Sequence, residues 1–263
     1  MTDPESAVPA PPPAPPPPAP PPPAAPLARP ALAYHLTEGR GPTIIFLPGY
    51  ASDMNGTKAL ALEAWAREKG RAFLRFDYGG CGQSMGAFEE QTLAGWRDDV
   101  VAMIDMIGAG PVVLVGSSMG GWLMLLAALA RPDRIAALIG IAAAPDFTDW
   151  GFSVDEKLAL LSTGRAERPS PYAPEPTIYT RAFWSSGEAN RIMHGVIAID
   201  RPVRLLHGMR DSDVPVMRSI RLAELIRSAD VQLVIIKDGD HRLSRDSDIA
   251  LLIRAVEEVI DLS

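Results

Sequence analysis

Val112-Val113-Leu114-Val115-Gly116-Ser117-Ser118-Met119-Gly120-Gly121-Trp122-Leu123-Met124-Leu125-Leu126 is the stretch from which the rest of the chain can be read. Four apolar β-formers lead into Gly-x-Ser-x-Gly, and a longer apolar run follows. The first run reads as a buried strand and the second as a buried helix. A chain that passes from one to the other in so few residues must turn tightly, and Gly116 and Gly120 let the two elements approach closely. The residue at the apex, Ser118, is then held out above the sheet edge with its hydroxyl exposed. Only Ser118 has glycine two residues away on both sides. Centring the pattern on Ser117 would put Val115 and Met119 there.

Outward from this turn, short apolar runs alternate with longer segments of helical period. That alternation predicts a mostly parallel central sheet with helices on both faces, an α/β fold. Strands are expected at 33–36, 43–47, 72–76, 112–115, 136–141, 204–206 and 231–236. Helices are expected near 57–69, 93–107, 120–130, 215–226 and 248–260. One stretch, about 146–201, breaks the rhythm. It shows no clear strand, several prolines and scattered aromatics, among them Trp150, Phe152, Tyr172, Tyr179, Phe183 and Trp184. So long an interruption inside a compact sheet is usually functional, and its place predicts a small cap insertion over the strand ends. Half of residues 1–30 are proline, and alanine is the commonest of the rest. Proline withholds the amide donors that helices and sheets need, so a disordered, polyproline-like tail is expected there, with the folded domain over 31–263.

Composition bounds the function classes. The 263 residues are 47% hydrophobic and 22% charged, with a formal net charge of -7. That is ordinary globular usage, and the acidic balance argues against nucleic acid as a partner. No apolar run approaches the roughly 18 residues of a membrane-spanning helix. The start of the chain carries Asp3 and Glu5 and no basic residue before Arg29, unlike a secretory or transit signal, so a cytoplasmic location is expected. Cys81 is the single cysteine and is expected to be a small structural residue.

A serine hydroxyl needs a base to become a nucleophile. Of four histidines, His35 precedes the core, His194 lies in the interrupted stretch, and His207 ends a strand, where a packed, hydrogen-bonded role is expected. His241, in the polar loop Lys237-Asp238-Gly239-Asp240-His241 after the last strand, is the candidate base. The acid should lie between Ser118 and His241 along the chain. His207-Gly208-Met209-Arg210-Asp211-Ser212-Asp213-Val214-Pro215 supplies it: Asp211 is placed where the loop overhangs the site, and Asp213 is expected to cap the following helix. The developing oxyanion needs two backbone N–H donors, expected from Met119 and from Tyr50 in Leu47-Pro48-Gly49-Tyr50. Trp150, Phe152 and Trp184 either line an acyl pocket or hold the insertion to the domain. Asp77-Tyr78-Gly79-Gly80-Cys81-Gly82-Gln83-Ser84 contains Gly-x-Gly, but Met85 stands where a dinucleotide fingerprint needs its third glycine. Asp238, Asp240 and His241 do not make a full metal-ligand set, so neither a metal nor another cofactor is expected.

Taken together, these residues resemble the α/β-hydrolase superfamily over nearly everything after residue 40. Four stretches are similar to one branch of it: Leu47-Pro48-Gly49-Tyr50-Ala51-Ser52-Asp53-Met54-Asn55-Gly56-Thr57-Lys58-Ala59, Arg75-Phe76-Asp77-Tyr78, 116–125, and Lys237-Asp238-Gly239-Asp240-His241-Arg242-Leu243-Ser244. That branch is the mitochondrial hydrolase group known for protein depalmitoylation and acyl-glucuronide hydrolysis. The resemblance implies a serine esterase or thioesterase acting on small acyl esters, acyl-CoA or acylated proteins, with its triad at Ser118, Asp211 and His241. The Pro-rich start departs from the mammalian members and points to a bacterial relative. Rival readings are a perhydrolase or C–C hydrolase, which share the triad, and a non-catalytic ligand-binding module on the same fold.

Overall fold

The computed structural model describes residues 31–170 and 174–262. The expected tail at 1–30, and Tyr172 within the interrupted stretch, lie outside the described residues. In chain order the elements are β1 (Tyr34–Thr37), β2 (Arg40–Leu47), α1 (Thr57–Lys69), β3 (Arg71–Phe76), α2 (Leu93–Met106), β4 (Val112–Ser117), α3 (Met119–Ala130) and β5 (Ile135–Ile141). They continue with α4 (Phe147–Trp150), α5 (Val154–Ser162), β6 (Arg165–Arg168), β7 (Thr177–Thr180), α6 (Arg181–Ala189), β8 (Val203–Gly208), α7 (Met217–Leu225), β9 (Val231–Ile236) and α8 (Asp246–Asp261). Each expected strand and helix is present, with ends shifted by a few residues at most.

One sheet carries seven strands in the order β1-β3-β2-β4-β5-β8-β9. All its pairings are parallel except β1 with β3. β4, which leads into Ser118, lies at the centre. Alternation along the strands divides the core between two faces. Val113 and Val115 of β4 join Ile44 and Phe46 of β2 against α1 and α8. Val112 and Leu114 face the other way, with Ile45 and Leu47, onto α2 and α3. The α3 run Trp122–Ala128 is buried on all sides, which explains why it shows no polar stripe in the sequence.

The interrupted stretch is more regular than the sequence implied. Between β5 and β8 the chain forms α4, α5, the antiparallel pair β6–β7 and α6. The expectation of no strand there is corrected: Arg165–Arg168 pairs with Thr177–Thr180 as a separate two-stranded ribbon. These strands are four residues each, Arg165-Ala166-Glu167-Arg168 and Thr177-Ile178-Tyr179-Thr180; the first is mostly charged and the second too short for an alternating or apolar run to mark it. The helices carry local signals. Ser153 and Glu156 form a capping box at the start of α5, and Thr180 Oγ1 accepts the Phe183 N–H, 3.1 Å away, at the start of α6. Buried Asp146 anchors the returning chain by accepting hydrogen bonds from the Ile192 and Met193 amides.

The turn between β4 and α3 is where the backbone is packed most closely. A Cβ at Gly120 would meet the Leu47 carbonyl oxygen at 2.1 Å, and one at Gly116 would meet the Gly120 carbonyl oxygen at 2.4 Å. Neither obstacle is a side chain that can swing away. Gly120→Ala is therefore expected to lower stability by about 3 kcal/mol or more, whereas Gly110→Ala, with nothing within 4 Å of the added methyl, should be tolerated. Chemical denaturation of the two variants beside the parent checks the contrast.

Candidate active site

Ser118 occupies a strained backbone position, with φ +54° and ψ −120°. Three hydrogen bonds hold it there. Its N–H donates to the Ile141 carbonyl (2.9 Å), and its own carbonyl accepts the Gly121 (2.9 Å) and Ala144 (3.0 Å) amides. The hydroxyl stands half-buried at the C-terminal end of the central strand, while Ser117 is buried. At such strand ends, open α/β sheets place their ligands.

Two other strand ends deliver the partners. The loop after β9 brings His241 Nε2 to 3.1 Å from Ser118 Oγ. The loop after β8 brings Asp211 Oδ2 to 2.8 Å from His241 Nδ1. With Nδ1–H donating to the carboxylate, Nε2 is left to accept the serine proton. The other carboxylate oxygen of Asp211, Oδ1, accepts the Asp213 and Val214 amides, both at 2.8 Å. The Asp211 side chain is fully buried. Burial pushes its carboxyl up, but hydrogen bonds from His207 and His241, the His241 charge and the Val214 amide outweigh this and hold it well below the ordinary carboxylate range. Asp211 is thus an anion throughout the neutral and mildly acidic range.

Asp213 departs from its expected role. Helix α7 begins at Met217 with Val216 at the N-cap and no side-chain cap, so Asp213 does not cap it. The polypeptide takes an extra turn at Pro215 and Val216 before the helix starts, which moves the cap position past both aspartates. Asp213 Oδ2 instead stands 4.0 Å from His241 Nε2. His35 and His194 are exposed. His207 is buried and hydrogen-bonded as expected, but one of its neighbours is Asp211.

The loop after β2 lies directly against the serine: a Cβ on Gly49 would stand 3.4 Å from Ser118 Cβ. The next residue supplies the Tyr50 N–H, and Met119, first residue of α3, supplies an N–H that no helical carbonyl can accept. Among the described residues neither amide donates to a protein acceptor. The loop is pinned from below by the end of β3. Asp77 Oδ1 accepts the Met54 amide (2.7 Å), Asp77 Oδ2 accepts the Gln83 amide (2.8 Å), and Arg75 donates to Asn55 Oδ1 (2.7 Å). The Gly-rich stretch after Asp77 therefore folds around its carboxylate. Within it Cys81 is buried and its thiol is pushed up to about 12 by that burial, so it is a poor nucleophile.

Tyr50 also carries a side-chain role that the sequence does not announce. Its ring stacks on Tyr179 (4.7 Å between centroids) and lies 4.7 Å from Phe183, and its hydroxyl donates to the Ile178 carbonyl (2.6 Å). The insertion is thereby fastened to the loop beside Ser118. Phe152 belongs to this cluster through Tyr179 (4.8 Å) and Phe147 (6.2 Å). Trp150 and Trp184 are engaged elsewhere. The Trp150 indole donates to the Pro145 carbonyl under the Arg218 guanidinium, and the Trp184 indole donates to the Thr148 carbonyl.

A half-buried serine, an imidazole aimed at it, a buried carboxylate behind the imidazole and two free amides beside it can together deliver a nucleophile and hold an oxyanion. Comparison with known proteins agrees with this chemistry. A family model described as the alpha/beta hydrolase fold matches residues 42–162. Human palmitoyl-protein thioesterase ABHD10, mitochondrial, is 44% identical over 236 residues, covering 88% of this chain and 77% of the relative. The structure of alpha/beta hydrolase domain-containing protein 10 from mouse superposes with a TM-score of 0.83 at 43% identity, covering 90% of this chain and 98% of that one. A putative hydrolase from Agrobacterium vitis S4 superposes with a TM-score of 0.83 at 39% identity, covering 87% and 93%. Among the described residues no helix is long and apolar enough to cross a membrane. With 44% identity over 88% of its length to the human relative, the chain belongs to the alpha/beta hydrolase fold family.

Proposed function

We propose that the protein is a serine hydrolase that cleaves carboxylic ester or thioester bonds by two-step acyl transfer. The observation that carries this reading is the continuous relay from Ser118 Oγ through His241 to Asp211, at 3.1 and 2.8 Å. Ser118 attacks the carbonyl carbon while His241 Nε2 takes its proton. The tetrahedral oxyanion is met by the Tyr50 and Met119 amides. His241 then protonates the leaving alcohol or thiol, and the acyl-enzyme is hydrolysed by water that His241 activates in the same way. Asp211 keeps the Nδ1–H tautomer and stabilises the imidazolium. None of these steps calls on a cofactor. A pure ligand-binding module has no use for an aligned relay, so the relay favours an enzyme.

The relatives named palmitoyl-protein thioesterase support acylated proteins as one substrate class, with acyl-CoA and small acyl esters as others. An apolar acyl group would lie against the aromatic cluster that Tyr50 joins to the serine loop, and the insertion that supplies most of it acts as a cap that sets substrate choice. In this reading Phe152, with Phe147, Tyr179 and Phe183, forms the acyl wall, while Trp150 and Trp184 hold the cap together. A cytoplasmic location is part of the proposal, and fractionation of the native host tests it.

A fluorophosphonate probe should label the parent protein and leave Ser118→Ala unlabelled. Turnover of p-nitrophenyl esters by Ser118→Ala should fall by about 10⁶-fold, since the triad acts as a unit. Labelling at another serine would overturn the assignment.

For the acid, Asp211→Asn should lower kcat by about 10⁴-fold by presenting the wrong histidine tautomer. Asp213→Asn, whose carboxylate is partly exposed and 4.0 Å from the ring, should change it by less than about tenfold. The reverse ranking in steady-state kinetics would move the acid to Asp213.

Cap function is read from chain-length profiles. Each methylene seated against the aromatic wall is worth at most about 0.8 kcal/mol, so a four-carbon extension can change kcat/KM by about two orders of magnitude. Phe152→Ala should flatten that profile while acetate esters are still cleaved. Trp150→Ala should lower Tm and leave the profile's slope in place. Equal slopes for the parent and Phe152→Ala would remove Phe152 from the acyl site.

A further inference from the structure

Behind the acid stands a second histidine that the acyl-transfer scheme does not use. His207, at the end of β8, is 0% exposed. Its Nε2 lies 2.9 Å from the Val214 carbonyl oxygen and 3.2 Å from Asp211 Oδ2. Both of these atoms are acceptors, so Nε2 must carry a hydrogen. On the other side of the ring Nδ1 lies 2.7 Å from Ser219 Oγ, and in the neutral imidazole it accepts that hydroxyl's hydrogen. Ser219, in the first turns of α7, is itself only 1% exposed.

We propose that Ser219 and His207 are positioning residues for the triad acid: the Ser219 hydroxyl, donating to Nδ1, holds the His207 ring in place, and the His207 N–H fixes Asp211 Oδ2 in line with His241. The proposal rests on the acyl-transfer reading of Ser118, His241 and Asp211. A carboxylate has a broad torsional preference about its last bond, so nothing in the aspartate itself holds one oxygen toward His241. Four donors do so here. Oδ1 takes the Asp213 and Val214 amides, and Oδ2 is shared between the two imidazoles. The identity of the fourth donor matters. A lysine or arginine would neutralise the carboxylate that the His241 imidazolium needs, whereas a neutral N–H orients it and leaves its charge in place. With Ser219 absent, Nδ1 loses its donor and the ring is held only by its Nε2 contacts, so it can tilt away from Asp211 Oδ2. The effect would reach Ser118 through Asp211 and His241 without any contact between Ser219 and substrate.

The experiment compares kcat, KM, Tm and the low-field NMR resonance of the His241 Nδ1 hydrogen in the parent, Ser219→Ala, Ser219→Thr, His207→Gln, the Ser219→Ala/His207→Gln double variant and Asp211→Asn. Rates are taken per folded chain on a short p-nitrophenyl ester. Ser219→Ala should lower kcat by about tenfold, the scale at which partners of an active-site group act when they only orient it. KM should stay as it is and the low-field resonance should shift or broaden. Ser219→Thr, which keeps the hydroxyl, should restore both. In the His207→Gln background, removing the hydroxyl should have no further effect on kcat, because its target is gone. The proposal is overturned if Ser219→Ala keeps the parent kcat and resonance, or if it loses the same factor with and without His207. Should Ser219→Ala fail to fold, the cycle is run with Ser219→Cys, whose weak donor should give an intermediate kcat only while His207 is present. Failure of the underlying reading looks different: Asp211→Asn would then retain the parent kcat.

Discussion

The approach of α3 to β2 at the central strand end governs the geometry of this molecule. Gly120 sits against the Leu47 and Pro48 carbonyls with no room for a Cβ, and Gly116 sits equally close to the following turn. Only with the helix pressed this near the sheet can the chain reverse within two residues, and that reversal puts Ser118 at a positive φ. The strain is local and is held by three backbone hydrogen bonds. The same contact puts the Gly49–Tyr50 loop beside the serine, so nucleophile and amide donors are placed by one packing event.

Burial of the acid is the second governing condition. An ionised carboxylate taken out of water needs donors, and Asp211 finds four, two amides and two imidazoles. Of these, the amides come from its own loop, while the imidazoles come from β8 and from the loop after β9. The low protonation tendency of Asp211 follows from this enclosure. A carboxylate that stays charged while buried can orient an imidazole and answer its positive charge without itself taking the proton.

Aromatic contacts join the scaffold to the inserted segment. Tyr50 is the hinge point of that union, because it follows Gly49, which lies against Ser118, while its ring and hydroxyl hold β7 and α6. The loop beside Ser118 gains rigidity from this. Tyr179 passes the contact on to Phe152 within the inserted segment.

Much of this could be read from the residues alone. Period-two and continuous apolar runs marked each strand of the central sheet, and Gly-x-Ser-x-Gly after Val112–Val115 marked the turn, because both depend on interactions between near neighbours in the chain. Chain order then singled out His241 and Asp211. The β6–β7 ribbon was not legible, since its strands are only four residues long, one of them mostly charged, and they owe their pairing to the segment around them. Nor was the true start of α7, where two extra turn residues displaced the cap from Asp213. Trp150, Phe152 and Trp184 looked alike in sequence, and only their partners set Phe152 apart. His207 could be seen as a buried, bonded histidine, but that its N–H meets Asp211 and its other nitrogen meets Ser219 depends on how the β8–α7 loop folds back. Patterns between neighbours are written along the chain. Which side chains share a hydrogen bond across 12, 30 or 123 residues is decided only when the sheet assembles and closes those loops on one another.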